Sequence, residues 1–255
     1  MERILSLTRR CVEDYQMIAP GDRIAVGVSG GKDSLVLLLA LSRLREFFPV
    51  PFELEAVTLD PGAAEGRTPP DFTPVGDFCR KLGVPYTVVP TELQHVIFDV
   101  RKEKNPCSMC AKMRRGALNR AILDRGLSKL ALGHHYDDAI ETFYMSLIFE
   151  GRLSSFQPVT FLDRTGVTQI RPLLYCGESL IKSAAQRLSL PVVKNPCPAD
   201  GNTRRQEIKE LVAELQSRYP GLKARTFGAM QRLPLPHWGP AELRRRPLPK
   251  DPEES

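Results

Sequence analysis

Ser29-Gly30-Gly31-Lys32-Asp33-Ser34 follows a short apolar run, Ile24 to Val28, and precedes a long one, Leu35 to Leu41. That order is strand, glycine turn, helix. Backbone N–H groups at such a turn point outward, and the helix dipole adds partial positive charge, so an anion is held there. Adjacent glycines let the backbone come close to a phosphate, and Lys32 adds a full charge. The turn is not a Walker A loop: Val26 stands where that motif has its first Gly, and Asp33 where it has Ser or Thr. No G-x-G-x-x-G runs through it either. The alternative is a glycine turn at a strand end that binds nothing.

Outward from this turn, strands and helices alternate. The pattern predicts a leading amphipathic helix over 2–18, then strands at Arg23–Val28, Glu53–Leu59, Pro85–Val89 and Lys129–Gly133. Between them it predicts helices at Asp33–Phe48, Asp71–Leu82 and Met109–Arg125, with a weaker segment at Leu93–Val100. A fourth helix covers Asp137–Phe149. The helix after the turn is apolar nearly all round, which predicts deep packing. Such alternation means an α/β fold, a doubly wound parallel sheet with right-handed crossovers. Ligands in such sheets bind beyond the carboxyl ends of the strands. The glycine turn, the loop from Asp60 and Gly133-His134-His135-Tyr136-Asp137-Asp138 all follow strands, so they share one rim. After Gly151 the pattern changes to a hairpin, Val159–Leu162 and Val167–Ile170, then helices at Glu178–Leu188, Thr203–Ser217 and within Tyr219–Arg232. The organisation expected is a leading helix (1–20), an α/β domain (21–175), a small C-terminal helical extension (176–233) and a loosely held Pro- and Arg-rich tail (234–255).

The chain has 255 residues, of which 42% are hydrophobic, enough for a sizeable core. No stretch approaches the ~20 apolar residues of a membrane span, and Met1 to Arg10 is too charged for a secretory signal. A cytoplasmic protein is expected. The net charge of +6 favours a polyanionic partner without naming one. Basic groups cluster at Arg101-Lys102-Glu103-Lys104, Lys112 to Arg115, Arg204-Arg205 and Arg244-Arg245-Arg246, and two of these clusters flank cysteines; the plain alternative is a solvated face.

Six cysteines in such a chain argue against a disulfide framework and for thiol or metal chemistry. Cys11 and Cys79 fall in helical patterns and read as small buried hydrophobes. Cys107-Ser108-Met109-Cys110 is a C-x-x-C at a helix start, where two thiolates grip one metal or cluster and the helix N-terminus stabilises their charge. Asn-Pro-Cys recurs at Asn195-Pro196-Cys197, and Asp200 stands where a second C-x-x-C would end. Three cysteines and an open position suit an iron–sulfur cluster with one free iron; three cysteines with a fourth residue suit zinc. Cys176, before a helix, reads as packing or capping, with ligation as the alternative.

S-G-G-K-D-S resembles the PP-loop of ATP pyrophosphatases, which split ATP between the α and β phosphates. With C-S-M-C-A-K-M-R-R-G, G-H-H-Y-D-D, R-P-L-L-Y-C and a lone late cysteine in that order, about residues 20–215 resemble the tRNA 2-thiocytidine synthetase (TtcA) family. The resemblance implies that Ser29, Gly30, Gly31, Lys32, Asp33 and Ser34 bind ATP phosphates, with Asp33 near Mg2+. It implies that Thr58 and Asp60 lie by the adenosine and that Gly133 lets the nucleotide approach. Asp137 would hold magnesium or orient the reacting groups, and Arg114 would position the tRNA or the activated base. Cys107, Cys110 and Cys197 would hold a [4Fe-4S] cluster whose free iron carries sulfide. Relatives often have a C-x-x-C around the late cysteine, and this chain departs from that. Helix capping by Asp137 and Asp138, a turn shaped by His134 and His135, and a solvated Arg114 are the plain alternatives.

The implied activity is ATP-dependent thiolation of a tRNA base, most directly cytidine to 2-thiocytidine. A carbonyl oxygen is a poor leaving group; adenylylation makes it a good one, and sulfide then displaces AMP. The implied partners are tRNA, ATP and a sulfur donor such as a cysteine desulfurase or free sulfide. Dimers are common in that family, but no dimer interface is legible in the sequence. The competing readings are thiolation of a tRNA uridine, sulfur transfer to a non-tRNA substrate, a cysteine-independent PP-loop ligase such as a lysidine synthetase, and a non-catalytic zinc- or cluster-bearing nucleic-acid-binding module.

Overall fold

The computed structural model describes residues 1–63, 68–101, 106–193 and 204–232, the side chains of 106–108 excepted. Its centre is a six-stranded sheet of order β3-β2-β1-β4-β6-β5. The strands are β1 (Asp22–Gly27), β2 (Phe52–Asp60), β3 (Tyr86–Pro90), β4 (Lys129–Ala131), β5 (Val159–Leu162) and β6 (Val167–Ile170). All neighbours run parallel except β5, which returns antiparallel to β6 through the expected hairpin. The chain adds β2 and β3 to one side of β1 and β4 to the other. That reversal opens a crevice at the carboxyl ends of β1 and β4.

The helices are α1 (Glu2–Asp14), α2 (Lys32–Leu44), α3 (Thr73–Lys81), α4 (Pro106–Leu123), α5 (Tyr136–Glu150), α6 (Glu178–Arg187), α7 (Arg204–Arg218) and α8 (Leu222–Arg232). The leading helix stops at Asp14, short of the expected Ile18, and Gln16 turns the chain with φ 50°. The segment expected to be weak forms a single π-helical stretch, His95–Val100.

Alternation along the strands sorts the core into two faces. Ile24, Val26, Leu54, Ala56 and Ile170 join the large cluster with α1, α2, α3, α5, α6, α7 and α8. Every residue of α2 from Ser34 to Ser42 is buried, as its all-round apolarity predicts. Cys11, Cys79 and Cys176 are packed in this cluster as small apolar groups; burial pushes the Cys176 thiol up to about 12. On the other face, Ala25, Val57, Leu130 and Val167 meet Ile122 at the end of α4 and Leu127 just beyond it. The described residues between 176 and 232 share the large cluster: Ile181, Ile208, Val212, Phe227 and Met230 pack with the strands' own residues. No helix among the described residues is long and apolar enough to cross a membrane.

Candidate active site

The turn after β1 is preformed by its own hydrogen bonds. The Ser29 N–H donates to Ser34 Oγ at 3.1 Å, and that hydroxyl donates to the Gly31 carbonyl at 2.9 Å. Gly30 takes φ +81°, which only glycine adopts without strain. Gly31 caps α2 with no side-chain acceptor, so the first N–H groups of the helix keep their capacity for an anion. Lys32 Nζ lies 3.1 Å from Asp33 Oδ2 and 3.2 Å from Glu178 Oε1. Burial opposes its charge, but those two carboxylates outweigh burial and raise its pKa. The second oxygen of Asp33, Oδ1, is sealed from solvent and has no hydrogen-bond partner.

A cleft of about 610 Å³ opens beside this turn, between the second face of the sheet and α4. Its floor is Gly27, Val28, Ser29, Leu132 and Gly133, at the reversal of strand order. One end is apolar, with Val57 and Leu59 of β2. The other holds His134, Phe156, Gln169 and Arg171. The wall is α4, through Ala111, Arg114, Arg115 and Leu118, spaced so that they share a helix face.

The structure brings some sequence-predicted residues to this cleft and not others. Ser29, Asp33, Ser34, Arg114 and Gly133 line it. A Cβ on Gly133 would stand 3.1 Å from the Asp33 carbonyl carbon and the Ser34 nitrogen, so this glycine admits the start of α2 itself. Thr58 points the other way, because Val57 and Leu59 take the cleft face and strand residues alternate. Its hydroxyl donates to the Val28 carbonyl at 2.6 Å and accepts from Tyr86 at 3.0 Å. The Asp60 carboxylate accepts the Gly62 N–H at 2.9 Å and shapes its own loop. The Asp137 carboxylate accepts the Glu178 N–H at 2.7 Å and Lys223 Nζ at 2.6 Å. It therefore ties α5 to α6 and α8, and its neighbour Asp138 lines the cleft instead. Asp138 also completes a capping box with His135 at the start of α5.

Cys107 and Cys110 lie in the first turns of α4, one turn before Ala111 and Arg114. The Cys107 side chain and Cys197 lie outside the described residues. Among the described residues no three His, Cys, Asp or Glu side chains group as a metal site. Val193, four positions before Cys197, donates its N–H to the Gly30 carbonyl at 3.0 Å, so the chain that leads to this cysteine starts from the glycine turn.

Two groups of residues escaped the sequence. Glu178, first residue of α6, bridges Lys32 to Lys209 of α7 at 2.7 Å. Burial opposes its ionisation, yet the two lysines bring its pKa down to about 2. The pairing is long-range, and no local pattern announces it. His134, Phe156, Gln169 and Arg171 form the second group. Their signal was present: Arg171 opens the R-P-L-L-Y-C motif, and strand alternation puts Gln169 and Arg171 on the face of Val167.

Residues 5–215 match the PP-loop domain family. The chain is 36% identical over 238 residues to a tRNA-cytidine(32) 2-sulfurtransferase of Dechloromonas aromatica, covering 92% of this chain and 82% of that protein. It is 38% identical over 233 residues to one of Anaeromyxobacter dehalogenans, covering 89% and 78%. Among solved structures, the U34-tRNA thiolase NcsA from Methanococcus maripaludis with its [4Fe-4S] cluster is similar with a TM-score of 0.72 and 28% identity, covering 88% of this chain and 77% of that one.

Proposed function

The chain belongs to the PP-loop domain family, among the tRNA-cytidine(32) 2-sulfurtransferases, and from that premise we infer that it replaces the 2-oxygen of a tRNA cytidine with sulfur, driven by ATP. One observation carries this reading: the helix that bears Cys107 and Cys110 is the wall of the cleft whose floor is the glycine turn. Nucleotide activation and sulfur delivery then meet in one space.

ATP phosphates lie at Ser29–Ser34, on the uncapped start of α2, with Lys32 as counter-charge. Val57 and Leu59 offer an apolar wall for the adenine. Asp33 Oδ1, without a hydrogen bond and 3.7 Å from His135 Nε2, fits a phosphate-bound Mg2+, which needs a carboxylate oxygen and would supply charge for the departing pyrophosphate. Arg114 and Arg115 face the cleft from α4 and suit the tRNA backbone.

The chemistry of the donor set fits a [4Fe-4S] cluster. Cys107 and Cys110 sit at a helix N-terminus, which favours thiolates. Four residues of chain reach at most about 14 Å, and Cys197 follows Val193, held on the loop, by four. Cys107, Cys110 and Cys197 would hold the cluster, and the chemistry it would supply is delivery of sulfide to the activated base. The sulfur originates from a cysteine desulfurase or free sulfide, and a tRNA substrate makes the reaction cytoplasmic.

The test is anaerobic incubation of purified protein with ATP, Mg2+, sulfide and tRNA, followed by nucleoside mass spectrometry. The expected result is 2-thiocytidine with AMP and pyrophosphate, lost in Cys110→Ala. Thiolation that survives Cys110→Ala, or the absence of thiolated cytidine with a loaded cluster, sinks the reading.

A further inference from the structure

Arg171 is a buried cation whose described partners are all neutral. It is 6% exposed. Its Nη1 donates to the Gln157 carbonyl at 2.5 Å and to Thr160 Oγ1 at 3.1 Å; Nη2 donates to Gln169 Oε1 at 3.3 Å. The guanidinium lies over the Phe156 ring, 5.0 Å from its centroid. Nε is sealed from solvent and donates to nothing. Burial pushes its pKa down to about 10, so it stays charged at neutral pH. A buried charge without a counter-charge is expensive, and this one lines the cleft.

Beside it stands a second orphan. His134 Nδ1 is sealed and unpartnered. Desolvation first, then the charges of Arg171, Arg205 and His135, bring the His134 pKa down to about 3, so the imidazole is neutral. Its ring lies 4.9 Å from that of Phe156, at 36°. Two orphaned polar atoms at one end of one cleft ask for a ligand that satisfies them. The phosphates have the glycine turn. What remains is a half-buried aromatic wall, a neutral imidazole and a cation that only donates. These suit a flat heterocycle with hydrogen-bond acceptors on its edge.

We propose that His134, Phe156 and Arg171 form the subsite that receives the target pyrimidine after it leaves the anticodon-loop stack. Phe156 and His134 supply the stacking wall, and a small turn of the Arg171 side chain opens Nε to donate to the acceptor edge of the base. The proposal rests on the tRNA-thiolase reading and adds the place of the base. Enzymes that act on a base hold it by stacking and by contacts to its Watson–Crick edge. The Arg171 Nε thereby gains the acceptor that it lacks in the structure.

The test uses the cluster-loaded protein and an anticodon stem–loop with pyrrolocytidine at position 32. Wild type is expected to change the probe's fluorescence on binding, because the base exchanges its neighbours for the pocket. Arg171→Met is expected to bind ATP and the stem–loop within about threefold of wild type, to lose the fluorescence change, and to thiolate normal tRNA at least about a hundredfold more slowly. Arg171→Lys restores part of both signals. Phe156→Ala, at the half-buried wall, leaves the hydrogen bonds of Arg171 in place and decides the matter if Arg171→Met misfolds: it too should lose the fluorescence change while keeping ATP affinity. An undiminished probe signal in Arg171→Met, or in Phe156→Ala should Arg171→Met misfold, overturns the subsite. Wild type that makes no thiolated cytidine fails the underlying reading instead.

Discussion

On one face of the sheet, Ile24, Val26, Leu54, Ala56 and Ile170 disappear beneath helices drawn from both ends of the chain. On the other, one residue along each strand, Ala25, Val57, Leu130 and Val167 meet α4 and the turn that follows it. Beyond that small cluster, Leu59, Leu132, Gln169 and Arg171 of the same rows line an open cleft. The closed face supplies stability and fixes the strand ends. The open face leaves side chains at those ends uncovered, and there a buried cation and an orphaned imidazole persist. Position along a strand therefore matters less than parity: neighbouring residues serve opposite purposes.

The sharpest way to break this division is a change at the rim where the faces meet. Lys32→Ala removes the loop's only lysine charge and should lower the thiolation rate by about 10³-fold, about 4 kcal/mol in the barrier. Its ion pairs are part-exposed, so the thermal midpoint should fall by no more than about 3 °C. Steady-state kinetics and calorimetry on the same sample check both. A collapse in stability would mean that the loop belongs to the core. The converse probe is Leu38→Ala in α2, a fully buried side chain. It should cost about 3 kcal/mol by cavity formation, read from denaturant unfolding, with little change in kcat per folded molecule.

Gly133→Ala tests the seam itself. The added methyl would press on the backbone of Asp33 and Ser34 at 3.1 Å, where no flexible side chain can yield. The start of α2 must shift by tenths of an ångström. Catalysis tolerates such displacement poorly, so kcat/KM should drop by about thirtyfold, about 2 kcal/mol, while unfolding changes by about 1 kcal/mol or less. Equal losses in both would erase the distinction between seam and core.

Much of this was legible beforehand. The glycine turn, the parallel strands and the β5–β6 hairpin follow from apolar runs and breakers, which are local signals. Parity is legible too, and it turns Thr58 away from the cleft: Val57 and Leu59 line it, and Thr58 bonds backward to Val28. Asp137 and Asp138 are adjacent acids on a helix, about 100° apart, and only the packing of α6 and α8 decides which one faces inward. Glu178 reaches Lys32, and Lys209 reaches Glu178, from distant segments, and pairing of that range leaves no pattern in a single sequence.

The smallest expected effect lies within the closed face. Glu141, on α5, is 6% exposed. Burial, reinforced by Asp138 and only partly offset by Arg205, raises its pKa from 4.5 to about 7. Between those values the native carboxyl keeps its proton while the unfolded one has lost it. The native state then binds more protons, so stability falls as pH rises through this window. Glu141→Gln removes the titration. The variant should match wild type near pH 4.5, exceed it by about 1–2 kcal/mol at pH 8, and show a flatter profile between. Urea unfolding at five or six pH values measures this directly. If instead the variant loses stability at pH 8, the contact with Arg205 at 3.6 Å outweighs burial. A carboxylate buried under α7 would then be stabilised there by its ion pair, and the closed face would tolerate charge as the open one does.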